Sequence, residues 1–207
     1  MINLLNIFVM KTVCFMKNYL IMNCSISIIK KTIILDTRVP SLYLGKNTNV
    51  LNNNANKMYS IEHIYPRSLL NKQHQNDMHN LFRTSDYLNN MRSNYKFTDK
   101  EEQKQLNNNW IKLEYFNYVN KKDKLFIPND ISKGIIARSL MYLSYTYNYN
   151  PYKVISPSNL VKWSEENPPD DKEIFHNKIS KLMQENDNRF ISEYDGKFYK
   201  NAIKNLF

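Results

Sequence analysis

Apolar and polar positions divide this chain into unlike stretches. From residue 1 to 35 apolar side chains dominate, interrupted by Lys11, Lys17, Lys30 and Lys31. The uninterrupted runs are too short to span a bilayer. A lysine follows both Met10 and Met16, ahead of further apolar runs, as in an export leader, but no small-x-small cleavage site comes after. A leader and a packed apolar helix both remain open. Residues 45–58 read as an Asn-rich loop. Tyr59 to Tyr65 has the β-branched and aromatic character of a short strand, which Pro66 ends. Met78 to Phe82 offers a partner strand. Ser85 is a good N-cap for a short helix from Asp86 to Arg92. The block predicts strand, loop, strand, helix.

Residues 95–124 are polar and rich in lysine and asparagine, which predicts loop with short helical pieces. Asn129 and Asp130 are then N-cap candidates. Ile131, Ile135, Leu140, Met141 and Leu143, with Ala137, predict a helix to near Tyr147. Gly134 and Ala137 suit close helix packing. Ser158 is placed to cap a short helix through Trp163. Pro168-Pro169-Asp170 starts another, with Ile174, Phe175, Ile179, Leu182 and Met183 on one face. The tail after Asp195 is basic and expected to fray. No internal repeat is present. The pattern predicts an α+β body over residues 46–207, preceded by an apolar extension or leader-like segment over residues 1–45.

A length of 207 residues supports one domain with a sizeable core. The formal charge of +10 points to a polyanionic partner. Lysine outnumbers arginine 23 to 6, a skew that an AT-rich coding bias produces by itself. The arginines are more informative. Arg67, Arg83 and Arg92 fall between Ile61 and Asn94, a stretch with the single lysine Lys72. A guanidinium grips phosphate through a fixed fork, which an ammonium cannot do. Both cysteines, Cys14 and Cys24, lie in the extension, so the body holds neither a disulfide framework nor a Cys-based zinc site.

Six segments carry a family resemblance when taken in order. They are E-H-I-Y-P at Glu62 to Pro66, D-M-H-N-L at Asp77 to Leu81 and N-N-M-R-S-N at Asn89 to Asn94, followed by K-G-I-I-A-R-S-L at Lys133 to Leu140, L-V-K-W-S-E-E-N-P at Leu160 to Pro168, and N-D-N-R-F-I at Asn186 to Ile191. Together they resemble bacterial endonuclease I, a secreted or periplasmic nuclease family of the ββα-metal (His-Me finger) class. The resemblance covers roughly residues 59–194. The many cysteines of the periplasmic members are missing, and Arg189 stands where the family usually has proline. The excursion between the first two motifs is short, as in compact members. The first 45 residues show no clear counterpart.

The resemblance implies a ββα-metal core surrounded by helices. It also implies cleavage of DNA, with RNA left open, to give 5′-phosphate ends with little sequence preference. His63 is then the general base, since a neutral imidazole can take a proton from water near neutral pH. Glu62 and Asn89 are the metal ligands, with Asn90 as a register alternative. Their hard oxygens suit Mg²⁺, and Mn²⁺ or Ca²⁺ likewise. Adjacent strand residues point to opposite faces, so a twist or bulge is needed to bring Glu62 and His63 to one place. Arg67 and Arg92 are assigned to the scissile or flanking phosphate. His79, Asn80, Asn94 and Arg138 are assigned to buttressing or nucleic-acid positioning, and His74 and His176 read as loop and surface histidines. A monomer is expected, without a transmembrane span. The family suggests export, and a body without cysteines equally suits an intracellular protein. Two other readings stand beside this one. One is a catalytically inactive nucleic-acid-binding protein of the same fold. The other is a zinc module using His63, His74 and His79.

Overall fold

The computed structural model describes residues 30, 33–34, 38–44, 59–103 and 106–207. The Asn-rich stretch 45–58, both cysteines and most of the apolar extension lie outside the described residues.

Strands β1 (Tyr59–His63) and β2 (Leu81–Ser85) pair antiparallel, with His63 opposite Leu81 and Tyr59 opposite Ser85. Helix α1 (Asp86–Arg92) follows at once and packs on β1. Ser85 ends the strand and caps the helix, its hydroxyl accepting from the Leu88 amide at 3.2 Å. The second strand starts later than its apolar residues suggest. Met78–Asn80 is a 3-10 turn, because the Asp77 carboxylate accepts from the His79 amide at 2.9 Å and so tightens the backbone. Further 3-10 turns at Arg67–Leu69 and Lys72–His74 fill the excursion between the strands.

Residues 95–124 differ from the expected loop. They supply β3 (Lys96–Phe97), β4 (Trp110–Lys112) and β5 (Tyr118–Asn120), which join β6 (Leu125–Ile127) in a second sheet of order β3-β6-β5-β4. The β3–β6 pair is parallel and the others antiparallel.

The central helix α2 (Asp130–Tyr147) is capped by Asn129 and buried nearly all round from Ser132 to Leu143. Such a helix needs partners on every side. Helix α3 (Pro157–Glu166) crosses it closely, and a Cβ on Gly134 would collide with the Asn167 carbonyl. Its cap is Ser156 rather than Ser158, with Pro157 at the first helical position, and Ser158 instead bonds Glu102. Asp170 caps α4 (Asp171–Gln184) as expected. A single turn, α5 (Arg189–Ser192), leads to α6 (Lys197–Leu206). The tail is therefore an ordered helix, anchored through buried Tyr199 and Ala202 and the Tyr199 hydroxyl bond to Ser164 at 2.8 Å.

Residues 41–44 run beside β2. Ser41 bridges Arg83, the Leu42 amide donates to the Arg83 carbonyl, and the Thr84 hydroxyl donates to the Leu42 carbonyl. Leu42, Tyr43 and Leu44 belong to the main core with Leu88, Phe126, Ile136 and Trp163. A division at residue 45 thus separates a strap that packs with the body. The architecture is α+β. Among the described residues, no helix is long and apolar enough to cross a membrane.

Candidate active site

The end of β1, the turn after it and the face of α1 enclose a cleft of about 300 Å³. Glu62, His63, Arg67, Asn89, Arg92 and Asn94 all line it. The β1–β2 ladder runs to His63 without a bulge. The cleft takes in two successive side chains because it opens at the strand's end, where Pro66 and Arg67 turn the chain away.

His63 is half-buried, with Nε2 at 2.9 Å from the Gln75 carbonyl oxygen. A carbonyl can only accept, so Nε2 carries the proton and the neutral ring keeps its lone pair on Nδ1. Burial holds the imidazole below its ordinary value, Arg67 and Arg92 push the same way, and the Gln75 carbonyl opposes them.

Glu62 is 2 % exposed. Its Oε1 accepts from the Tyr43 hydroxyl at 2.9 Å and lies 3.3 Å from Arg92 Nε. The Arg92 contact is an ion pair whose N–H does not point along a hydrogen-bond direction. Burial pushes the Glu62 carboxyl above its ordinary value, while Arg92, the Tyr43 hydroxyl and the His63 amide act against that. Among the described residues, Oε2 has no side-chain partner.

Asn89 is oriented by its amide nitrogen, which donates to Ser60 Oγ at 2.9 Å and to the Ile61 carbonyl at 3.4 Å. Oδ1 accepts no bond among the described residues. Asn90 turns back to Asp86 along the exposed side of α1 and does not line the cleft.

The two arginines of the cleft differ. Arg67 is exposed, and its Nε donates to Gln75 Oε1 at 3.0 Å. Its terminal nitrogens have no partner among the described residues. Arg92 is 1 % exposed and lies over the Phe97 ring at 4.5 Å. Its terminal nitrogens donate to the His63, Ile64 and Ser93 carbonyls, so its fork is committed to backbone at the end of β1 and just after α1. Arg83 is buried in β2 with its guanidinium over Tyr59.

The remaining expected residues divide between brace and scaffold. Asn94 lines the cleft and is exposed. Asn80 grips Tyr65 at both backbone atoms, 2.8 Å to its amide and 3.0 Å to its carbonyl, and thereby fixes the chain two residues beyond His63. His79 is buried against Tyr142, its Nε2 bonded to the Asn186 carbonyl at 3.1 Å. Arg138 lies elsewhere: it pairs with Glu173 through Nε at 2.8 Å and Nη2 at 2.6 Å, and bonds the Ser164 and Asn167 carbonyls. None of these partners lines the cleft, so Arg138 ties α2 to α3 and α4. His176, expected at the surface, is 2 % exposed and sits edge-on to Phe82. His74 stacks on Tyr147 at 4.0 Å. His63, His74 and His79 thus have separate partners, and among the described residues no three His, Cys, Asp or Glu side chains converge as a metal cluster. Tyr43 and Gln75 were not legible as site residues: Tyr43 is one of 15 tyrosines, Gln75 sits in the polar excursion between the strands, and each meets the site only through a contact distant in sequence.

The sequence model of the endonuclease I family, described as Endonuclease I, matches residues 16–194. This chain belongs to that family. The match starts well ahead of Tyr59 and takes in the strap at residues 41–44. No curated relative matches the chain. Family membership makes the protein a nuclease, a hydrolase with nucleic acid as its substrate.

Proposed function

We propose that β1, β2 and α1 form a ββα-metal core and that the protein is a metal-dependent endonuclease. It hydrolyses phosphodiester bonds of DNA with little sequence preference, and RNA is a further substrate to test. One observation carries this reading. Three groups of suitable chemistry share one cleft: an oriented imidazole, a buried carboxylate and an amide whose nitrogen is tied back.

The donor set fits a hard divalent cation. Glu62 Oε2 and Asn89 Oδ1 are oxygens without side-chain partners among the described residues, and Mg²⁺ favours a few protein oxygens together with water. Mn²⁺ and Ca²⁺ accept the same atoms. A cation held there supplies positive charge to the scissile phosphate and the leaving 3′-oxygen.

The chain's own groups do the rest. His63 Nδ1 takes the proton of the attacking water, and the Gln75 carbonyl supports the ring as it becomes charged. Arg67 directs its unpaired terminal nitrogens at phosphate as a fork. Arg92 positions: it holds the carbonyls of His63 and Ile64 and stands beside Glu62. Asn94 contacts the substrate strand at the rim. The surplus of lysine supplies attraction without sequence preference.

The test is incubation of the purified protein with supercoiled plasmid and with RNA, in Mg²⁺ and in EDTA. Nicking and linearisation in Mg²⁺, abolished by EDTA and by Glu62→Gln, are expected. Nucleic-acid binding with no cleavage in any divalent metal would favour an inactive binding protein of the same fold.

A further inference from the structure

Tyr43 is fully buried and sits at φ 64, in the left-handed region that a tyrosine rarely adopts. Such a conformation is strained for a side chain with a Cβ and persists only where the surroundings enforce it. Here they do. The Tyr43 amide donates to Ser132 Oγ at 2.8 Å, and its carbonyl accepts from Asn117 Nδ2 at 2.8 Å. Asn129, the cap of α2, links these anchors: Ser132 Oγ donates to its Oδ1 at 2.7 Å, and its amide donates to Asn117 Oδ1 at 2.9 Å. The ring packs on Phe126 at 4.9 Å. From this fixed base the hydroxyl donates to Glu62 Oε1 at 2.9 Å.

We propose that Tyr43 is a positioning residue for the metal carboxylate, carried on a strap outside the ββα unit. It rests on the reading of Glu62 as a ligand. Tyr43 and Arg92 both engage Oε1. The carboxylate therefore cannot rotate freely, and Oε2 is the oxygen left without a side-chain partner on a residue that lines the cleft. Partners of this kind, one bond behind a ligand, typically set metal affinity by about 10–100-fold when removed. A strained backbone fastened at both ends is what holding one oxygen in place requires. The strap is thus part of the site, although it lies 19 residues before Glu62 in sequence.

Tyr43→Phe removes the hydroxyl and keeps the ring. The probe is Mn²⁺ in the absence of nucleic acid, with bound ion counted from the paramagnetic resonance of the free ion. Wild type, Tyr43→Phe, Glu62→Gln and the double variant are compared, with thermal melts alongside. Tyr43→Phe is expected to weaken Mn²⁺ binding by about tenfold or more, with a cooperative melt, and to have little further effect in the Glu62→Gln background. Ser132→Ala is the second variant. It releases the Tyr43 amide without touching ring or hydroxyl, and a smaller loss of affinity is expected. Wild-type Mn²⁺ affinity in whichever of these two variants fold overturns the proposal, whatever happens to their melting temperatures. Equal binding by wild type and Glu62→Gln would instead defeat the ligand reading itself, a separate result.

Discussion

His63 Nε2 and the Gln75 carbonyl oxygen stand 2.9 Å apart, which commits the ring's proton to one nitrogen and leaves Nδ1 as the only basic atom. His63→Ala removes that base while leaving Arg67 in place. Turnover should drop by about 10²–10⁴-fold, the usual worth of a general base. Affinity for DNA, measured by fluorescence anisotropy in Ca²⁺, should be nearly unchanged, because phosphate contacts carry it. A folded variant with wild-type turnover would remove His63 from the mechanism.

Gln75 also acts through its side chain. Its Oε1 accepts from Arg67 Nε, and its Nε2 donates to the Arg67 carbonyl at 3.3 Å and the Leu70 carbonyl at 3.4 Å. One residue therefore orients both the His63 ring and the Arg67 guanidinium. Gln75→Ala and Arg67→Ala should each slow cleavage, and their effects should be non-additive, with a coupling of about 0.5–3 kcal/mol from the double-mutant cycle. Arg67→Lys keeps the charge and loses the fork, so it should reduce turnover more than DNA affinity. Strict additivity would separate Gln75 from Arg67.

These relationships were only partly legible in the sequence. The grouping of Glu62, His63 and Asn89 comes from the family resemblance of the segments that hold them, and the three line one cleft, while Ser85 marks the start of α1 plainly. The bounds Asp86 and Arg92 follow from that cap and from Ser93, which leaves helical geometry at φ 52. The start of β2 was not readable, since Asp77 competes locally for the His79 amide and converts three apparently extended residues into a turn. The second sheet was hidden for another reason. Its strands are two or three residues long, too short to show alternation, and its pairing joins β3 to β6 across the sequence. Arg92 illustrates a subtler limit. Its place beside the cleft was inferable from composition, but its commitment to three backbone carbonyls was not.

Arg138 offers a control outside the cleft. The side chains of Arg138 and Glu173 are 1 % and 2 % exposed, and their bidentate pair joins two helices. Removing one partner strands a buried charge, at a cost of about 3–5 kcal/mol. Arg138→Met should therefore lower stability by that order in urea denaturation. Cleavage per folded molecule should stay near wild type, because none of the partners of Arg138 lines the cleft. A selective loss of turnover without loss of stability would return Arg138 to the site.

His176 makes stability depend on pH. It is 2 % exposed, its Nε2 has no hydrogen-bond partner, and Phe82 lies 4.7 Å away edge-on. Burial, with a smaller push from His79 and an opposing pull from Asp77, takes its pKa down to about 3. In the unfolded chain the ring titrates near about 6.5. Between these values the unfolded state holds a proton that the folded state refuses. The stabilisation is therefore complete above the unfolded value and declines as pH falls, by up to about 1.4 kcal/mol per pH unit. His79 is also lowered by burial and adds to the same window, whereas Asp77 is held below its ordinary value and contributes only at more acid pH. His63, lowered by burial as well, is a third contributor, so His176→Phe removes one of three histidine contributions and keeps an aromatic ring against Phe82. Urea midpoints from about pH 7.5 to pH 5 should then fall less steeply for the variant than for wild type. Parallel slopes would mean that His176 is protonated in the folded protein.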